Sequence, residues 1–135
     1  MNALFVDTAG WVACGDAMDP AHRQASAARD RWLEQNGLLV TTDYVADETL
    51  TLLRLRAGLR AAEAWWDQVS GSSRLRWEFI DGSRAEKARA IFFRYSDKEF
   101  SFTDCTSFAV MRELKIRQAL TTDRHFTQIG FEVRP

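Results

Sequence analysis

The feature that most constrains this chain is a short unbroken apolar run, Ala3-Leu4-Phe5-Val6, closed by Asp7. The run does not alternate, so it reads as a strand covered on both faces, as in a parallel sheet. Parallel strands need a crossover between them, usually a helix. The rest of the chain supplies that rhythm. Thr8 to Cys14 reads as a short helix close behind the strand. Asp19-Pro20 has the form of an N-cap followed by proline in the first turn, and Asn36-Gly37 ends the helix it opens. Leu38-Leu39-Val40-Thr41 is a second apolar strand, and Thr42-Asp43 caps a third helix that runs to about Arg56. Leu59 to about Val69 makes another helix. It carries Trp65-Trp66, of which only one can face the core. Leu75 to Ile80 alternates, as a half-buried or edge strand does. Ser83-Arg84-Ala85-Glu86 matches a capping box for a helix to about Tyr95. Ser101 or Thr103 can cap the next helix, which ends near Lys115. Gln118 to Thr122 reads as a strand ending at Asp123, and Phe131-Glu132-Val133 as a last one. Such alternation predicts an α/β domain spanning 1–135, with a mainly parallel central sheet and helices on both faces.

Composition narrows the function classes. The net charge is −1 and the pI about 6.1, so no global positive field advertises nucleic acid. Any RNA must be held by a local patch. No apolar run approaches the roughly 18 residues of a membrane span, and no basic leader precedes the first apolar run. Cys14 and Cys105 stand in apolar, helix-like surroundings, which suits buried reduced thiols and a cytoplasmic protein, although the sequence leaves a disulfide between them open.

In sheets of this kind ligands bind outside the carboxyl ends of the strands, where strand order reverses. Asp7 ends the first strand and Asp123 a late one, while Glu48 and Asp104 fall in the first turns of helices that follow loops. Two of the four have an ordinary explanation. Asp104 alone can cap its own helix. Glu48 lies on a stripe with Val45, Leu52 and Leu55, where it must be paired, bind metal or reach solvent at the edge. Four acids meeting at one sheet edge would repel, and a hard divalent cation such as Mg²⁺ or Mn²⁺ relieves that repulsion. An ion so held suits phosphodiester hydrolysis. Other chemistries fit less well. His22 and His125 read as ordinary surface or satisfied histidines, neither cysteine has an obvious partner, and no CxxC or glycine-rich phosphate loop occurs. A second acid two residues after Asp7, as a haloacid-dehalogenase phosphatase requires, is replaced by Ala9.

Phe5-Val6-Asp7-Thr8, Glu48 in a helix after a short strand, Ser101-Phe102-Thr103-Asp104, and Leu120-Thr121-Thr122-Asp123-Arg124-His125-Phe126 together resemble the PIN-domain ribonucleases. Within them the chain is most similar to the VapC toxins of toxin–antitoxin pairs. The resemblance spans essentially the whole chain. It implies a three-layer α/β/α fold, a Mg²⁺- or Mn²⁺-dependent endoribonuclease, a homodimer, and an antitoxin that blocks the site. It also implies that Asp7, Glu48, Asp104 and Asp123 form the acidic cluster. Asp7 and Asp104 would bind metal directly, Glu48 and Asp123 directly or through water. Thr8, Ser107 and Thr122 would hydrogen-bond the carboxylates or metal waters. Many relatives carry a further acid where this chain has Cys105, Thr106 and Ser107, which leaves the choice between one metal and two open.

Basic residues that could hold RNA are Arg54, Arg56 and Arg60 after the Glu48 helix, and Arg74, Arg76, Lys98 and Arg124 near loops and strand ends. Arg124, beside Asp123, is the first choice among them. Two other readings stay open: a PIN-like nuclease of RNA maturation without a toxin role, and a non-enzymatic RNA- or protein-binding module.

Overall fold

The structure, a computed structural model, describes residues 2–135. In chain order its elements are β1 (Ala3–Val6), α1 (Thr8–Gly15), α2 (His22–Glu34), β2 (Leu38–Thr42), α3 (Asp43–Ala57), α4 (Leu59–Ser70), β3 (Leu75–Glu78), α5 (Gly82–Arg94), α6 (Phe102–Leu114), β4 (Gln118–Leu120), α7 (His125–Gln128) and β5 (Glu132–Arg134). The strands form one sheet in the order β3-β2-β1-β4-β5, and every pairing is parallel. β1 sits at the centre, wholly buried, as its unbroken apolar run requires. β3 and β5 form the edges. β3 is half-buried without the alternation its sequence suggests, Leu75 and Glu78 being buried and Arg76 exposed, and every residue of β5 is exposed. Helices cover both faces, giving the α/β/α fold expected.

The order reverses between β1 and β4. The first three strands step outward one way, and β4 returns to pair with β1 on its other side. The register Val6↔Leu120 brings Asp7 and Thr121, the next residues of the two strands, side by side at that switch point.

Several helix ends differ from the sequence expectation. Asp19 does not cap α2; its Oδ1 accepts from the Ala21 N–H in the preceding turn, and α2 begins at His22. The α5 cap is Asp81 rather than Ser83, its Oδ1 accepting from the Arg84 N–H. An Asp followed by Gly reached the orphan donors first. Thr42 and Ser101 cap α3 and α6 as expected. β4 stops at Leu120, two residues before the expected end, and the Thr121 side chain turns into the site.

The α3 stripe also shifts. Val45, Ala46, Thr49 and Leu53 are buried, whereas Leu55 is 76% exposed. The buried face is therefore rotated from the expected one, and Glu48 lies at its edge. Trp65 is buried and Trp66 half-exposed, as two adjacent helical positions require. Trp11 is a core residue, its Nε1–H donating to Thr41 Oγ1 at 3.0 Å. Both cysteines are free and buried. Among the described residues no helix is long and apolar enough to cross a membrane.

Candidate active site

A cleft of about 430 Å³ opens at the switch point. Asp7, Glu48, Asp104 and Asp123 all line it. Each acid is delivered by a different device.

Asp7 is the N-cap of α1 and is 4% exposed. Its Oδ1 accepts from the Gly10 N–H at 2.9 Å, and its Oδ2 accepts from the Thr121 hydroxyl at 2.9 Å. That hydroxyl also accepts from the Asp123 N–H at 2.9 Å. One threonine thus ties the ends of β1 and β4 together. Burial pushes the Asp7 carboxyl from 3.8 up to about 8, against the two hydrogen bonds and with a contribution from the charges of Asp123 and Asp104.

Asp104 completes a capping box at the start of α6. Its backbone N–H donates to Ser101 Oγ at 2.9 Å, and its Oδ2 accepts from the Ser101 N–H at 3.1 Å. The same Oδ2 lies 2.8 Å from His125 Nδ1, which also lies 3.2 Å from Asp123 Oδ1. Facing two carboxylates, Nδ1 carries the proton and donates. The Phe100 ring packs edge-on against the imidazole, centroids 5.4 Å apart. Burial raises the Asp104 carboxyl above its ordinary range. Hydrogen bonds from His125 and the Ser101 N–H oppose this, and the Asp123 charge adds to it. Asp123 Oδ1 also accepts from the His125 N–H at 2.9 Å, which sets the turn into α7.

The structure therefore joins Asp7, Asp104 and Asp123 through Thr121 and His125. Ligand atoms of Asp104, Asp123 and His125 all lie within 4.8 Å of one another. Glu48, in the second turn of α3 rather than the first, lines the cleft without bonding to the other acids. The polar neighbours divide. Thr8 Oγ1 and Ser107 Oγ are buried, line the cleft and have no hydrogen-bond partner. Thr122 also lines it, but it is exposed, and the hydroxyl that holds Asp7 belongs to Thr121. Arg124 is exposed at the start of α7, outside the acidic cleft, while Arg56 lines that cleft.

The sequence alone makes Thr121 the tail of a strand and His125 an ordinary surface or satisfied histidine. In the fold Thr121 holds Asp7, and His125 is satisfied by the acids themselves. The spacing Asp123-x-His125 at a strand end was the available signal.

The donor set fits a hard divalent cation. Asp7 and Asp104 are held above the ordinary carboxylate range by burial and neighbouring charge, and Thr8 and Ser107, which line the cleft, carry buried hydroxyls without a partner.

The chain is similar to known proteins. The family model of the PIN domain matches residues 4–132. The chain is 39% identical over 133 residues to the 23S rRNA-specific endonuclease VapC20 of Mycobacterium tuberculosis, covering 98% of each. It is 32% identical over 121 residues to a VapC ribonuclease of Archaeoglobus fulgidus, covering 85% of this chain and 74% of that one. The crystal structure of VapC20, described as a sarcin-ricin loop cleaving toxin, superposes with a TM-score of 0.87 over 98% of this chain and 99% of that one. The VapBC2 structure from Rickettsia felis, bound to a promoter DNA fragment, shares the fold alone: 10% identity and a TM-score of 0.73 over 98% and 97%. The chain belongs to the PIN-domain family, and among its members it is similar to VapC toxins along its whole length.

Proposed function

We propose that this protein is a divalent-metal-dependent endoribonuclease of the toxin kind, hydrolysing RNA phosphodiester bonds at the four-carboxylate cleft. The observation that carries the reading is the meeting of Asp7, Asp104 and Asp123 at the switch point, with Glu48 lining the same cleft. Its similarity to a 23S rRNA-specific endonuclease supports a structured ribosomal RNA loop as substrate.

Asp7 and Asp104 would hold Mg²⁺ or Mn²⁺ directly, with Glu48 and Asp123 bound directly or through water. The unpartnered Thr8 and Ser107 hydroxyls and that of Thr122 offer hydrogen bonds to the waters such an ion keeps. The chemistry a bound ion supplies is activation of water and offset of charge on the phosphoryl group. The chain's own residues prepare the site. Thr121 orients Asp7, and His125 holds Asp104 and Asp123 together in spite of their charge. Ser107, where many relatives carry a further acid, favours one firmly held ion. Arg124 borders the site, where it can meet the RNA backbone. An antitoxin that covers the cleft, a homodimer and a cytoplasmic setting complete the reading, on the strength of the likeness to VapC toxins.

Cleavage of total cellular RNA by wild type and Asp104→Asn, with fragment ends mapped, tests it. Wild type should cut in Mg²⁺ or Mn²⁺ and not in EDTA. Asp104→Asn should lose at least about 100-fold in rate while its unfolding midpoint stays nearly unchanged, as an Asn can still accept at the cap. Equal cleavage by the two proteins would refute the site.

A further inference from the structure

Four residues of α3 line the cleft: Val45, Glu48, Leu52 and Arg56. They follow the helical spacing of one face. The acidic end of this face faces the carboxylates, and the far end carries a guanidinium. Arg56 is exposed and makes no hydrogen bond or ion pair among the described residues. Arg54, two residues earlier, is also exposed but does not line the cleft. Both lie in the last turn of α3, where any cation is favoured by the helix dipole, so the dipole alone does not separate them. What separates them is direction.

Eight residues of helix place Arg56 about 12 Å from Glu48 along the axis. The two side chains are thus just over two helical turns apart. Between them on this face stands the half-buried Leu52. Five acids line the cleft, Asp19 included, and Arg56 is the one arginine or lysine among the described residues that line it, so it is the fixed positive charge a polyanion meets there.

We infer that Arg56 is a substrate-positioning residue that binds an RNA phosphate away from the scissile one, with the intervening nucleotide passing Leu52. This rests on the nuclease reading. Arg56 fixes the register of the strand across the acids and stands apart from the chemistry. A guanidinium presents a planar fork to a phosphate, which an ammonium only partly replaces.

The test is binding of a synthetic stem-loop RNA of the sarcin-ricin type, followed by fluorescence anisotropy in Ca²⁺, with the RNA checked intact by gel. Wild type, Arg56→Ala, Arg56→Lys and Arg54→Ala are compared between low and moderate salt. Arg56→Ala should bind about tenfold more weakly. Its log–log salt slope should be shallower by about 0.7–1, the loss of one phosphate contact. Arg56→Lys should recover part of the affinity and the full slope, and Arg54→Ala should match wild type. A single neutral methylphosphonate linkage, walked along the loop, should weaken wild type at one position and leave Arg56→Ala indifferent there. Arg56→Ala binding with wild-type affinity and slope, or an equal loss in Arg54→Ala, overturns the inference. Wild-type cleavage in Mg²⁺ is scored separately. Its absence would sink the nuclease reading and leave the Arg56 contact to be decided by the binding data.

Discussion

Asp7 concentrates the energetics of the site in one residue. It is buried at a helix N-terminus, and its carboxyl is pushed up to about 8 by that burial. In metal-free protein the folded state therefore holds a proton on Asp7 that the unfolded chain releases above about pH 4. Between roughly pH 4 and pH 8 the folded state binds more protons, so stability falls as pH rises, by up to about 1.4 kcal/mol per unit. Asp7→Asn resembles the protonated form and should remove this slope. Denaturant unfolding in EDTA should find the variant more stable than wild type at pH 7 to 8, and close to it near pH 4. A wild-type slope retained in Asp7→Asn would show that another group sets it. This acid was legible from the sequence because it closes an apolar strand. Thr121 and His125 were not, because their roles depend on contacts between residues far apart in the chain. The Thr121 hydroxyl bonds a residue 114 positions away, and His125 one 21 away. No periodicity within one element reports such a pairing. Asp104 was legible in both its roles at once, as a capping acid and as a member of the cluster, since the geometry that caps α6 also turns its carboxylate toward His125.

At the scale of elements, the contact of α1 with β4 sets the site. Gly10 lies in the first turn of α1, and a Cβ there would collide with the backbone carbonyl of Leu120. The same residue's N–H holds Asp7. In an exposed helix Gly→Ala stabilises by about 1 kcal/mol. Here the sign should reverse. Gly10→Ala should destabilise by about 1–3 kcal/mol through overpacking, and it should weaken Mn²⁺ binding by displacing the Asp7 cap. Urea unfolding with and without Mn²⁺ measures both; a stabilised Gly10→Ala would mean that the helix and strand are not in close contact. The sequence announced most elements through their apolar runs and caps, yet it misjudged the face of α3. Leu55 sits on a plausible apolar stripe and is exposed, because the helix turns Leu53 inward and leaves Glu48, Leu52 and Arg56 along the cleft. Which side of an amphipathic helix meets the core is decided by packing when leucines ring it, as Leu50, Leu52, Leu53 and Leu55 do here.

For the whole molecule, the parallel sheet with its reversed strand order explains why acids from four distant segments share one cleft. The order β3-β2-β1-β4-β5 puts the ends of β1 and β4 together, and α3 and α6 bring Glu48 and Asp104 to the same edge. The alternation of strands and helices was enough to read the α/β class, and strand ends closed by Asp were enough to suggest where the acids meet. The strand order itself is a tertiary fact that apolar patterning does not encode. In the function proposed, this convergence holds a divalent ion. Titration of the metal-free protein with Mn²⁺ by calorimetry, in wild type and Asp7→Asn, tests it most directly. Wild type should bind close to one Mn²⁺ per chain, releasing protons on binding at pH 7, and saturation should raise its stability by about 2.7 kcal/mol at one hundred times the Kd. Asp7→Asn should stay folded and lose that binding at least tenfold. Undetectable Mn²⁺ binding by the wild type, or the same isotherm from both proteins, would contradict it.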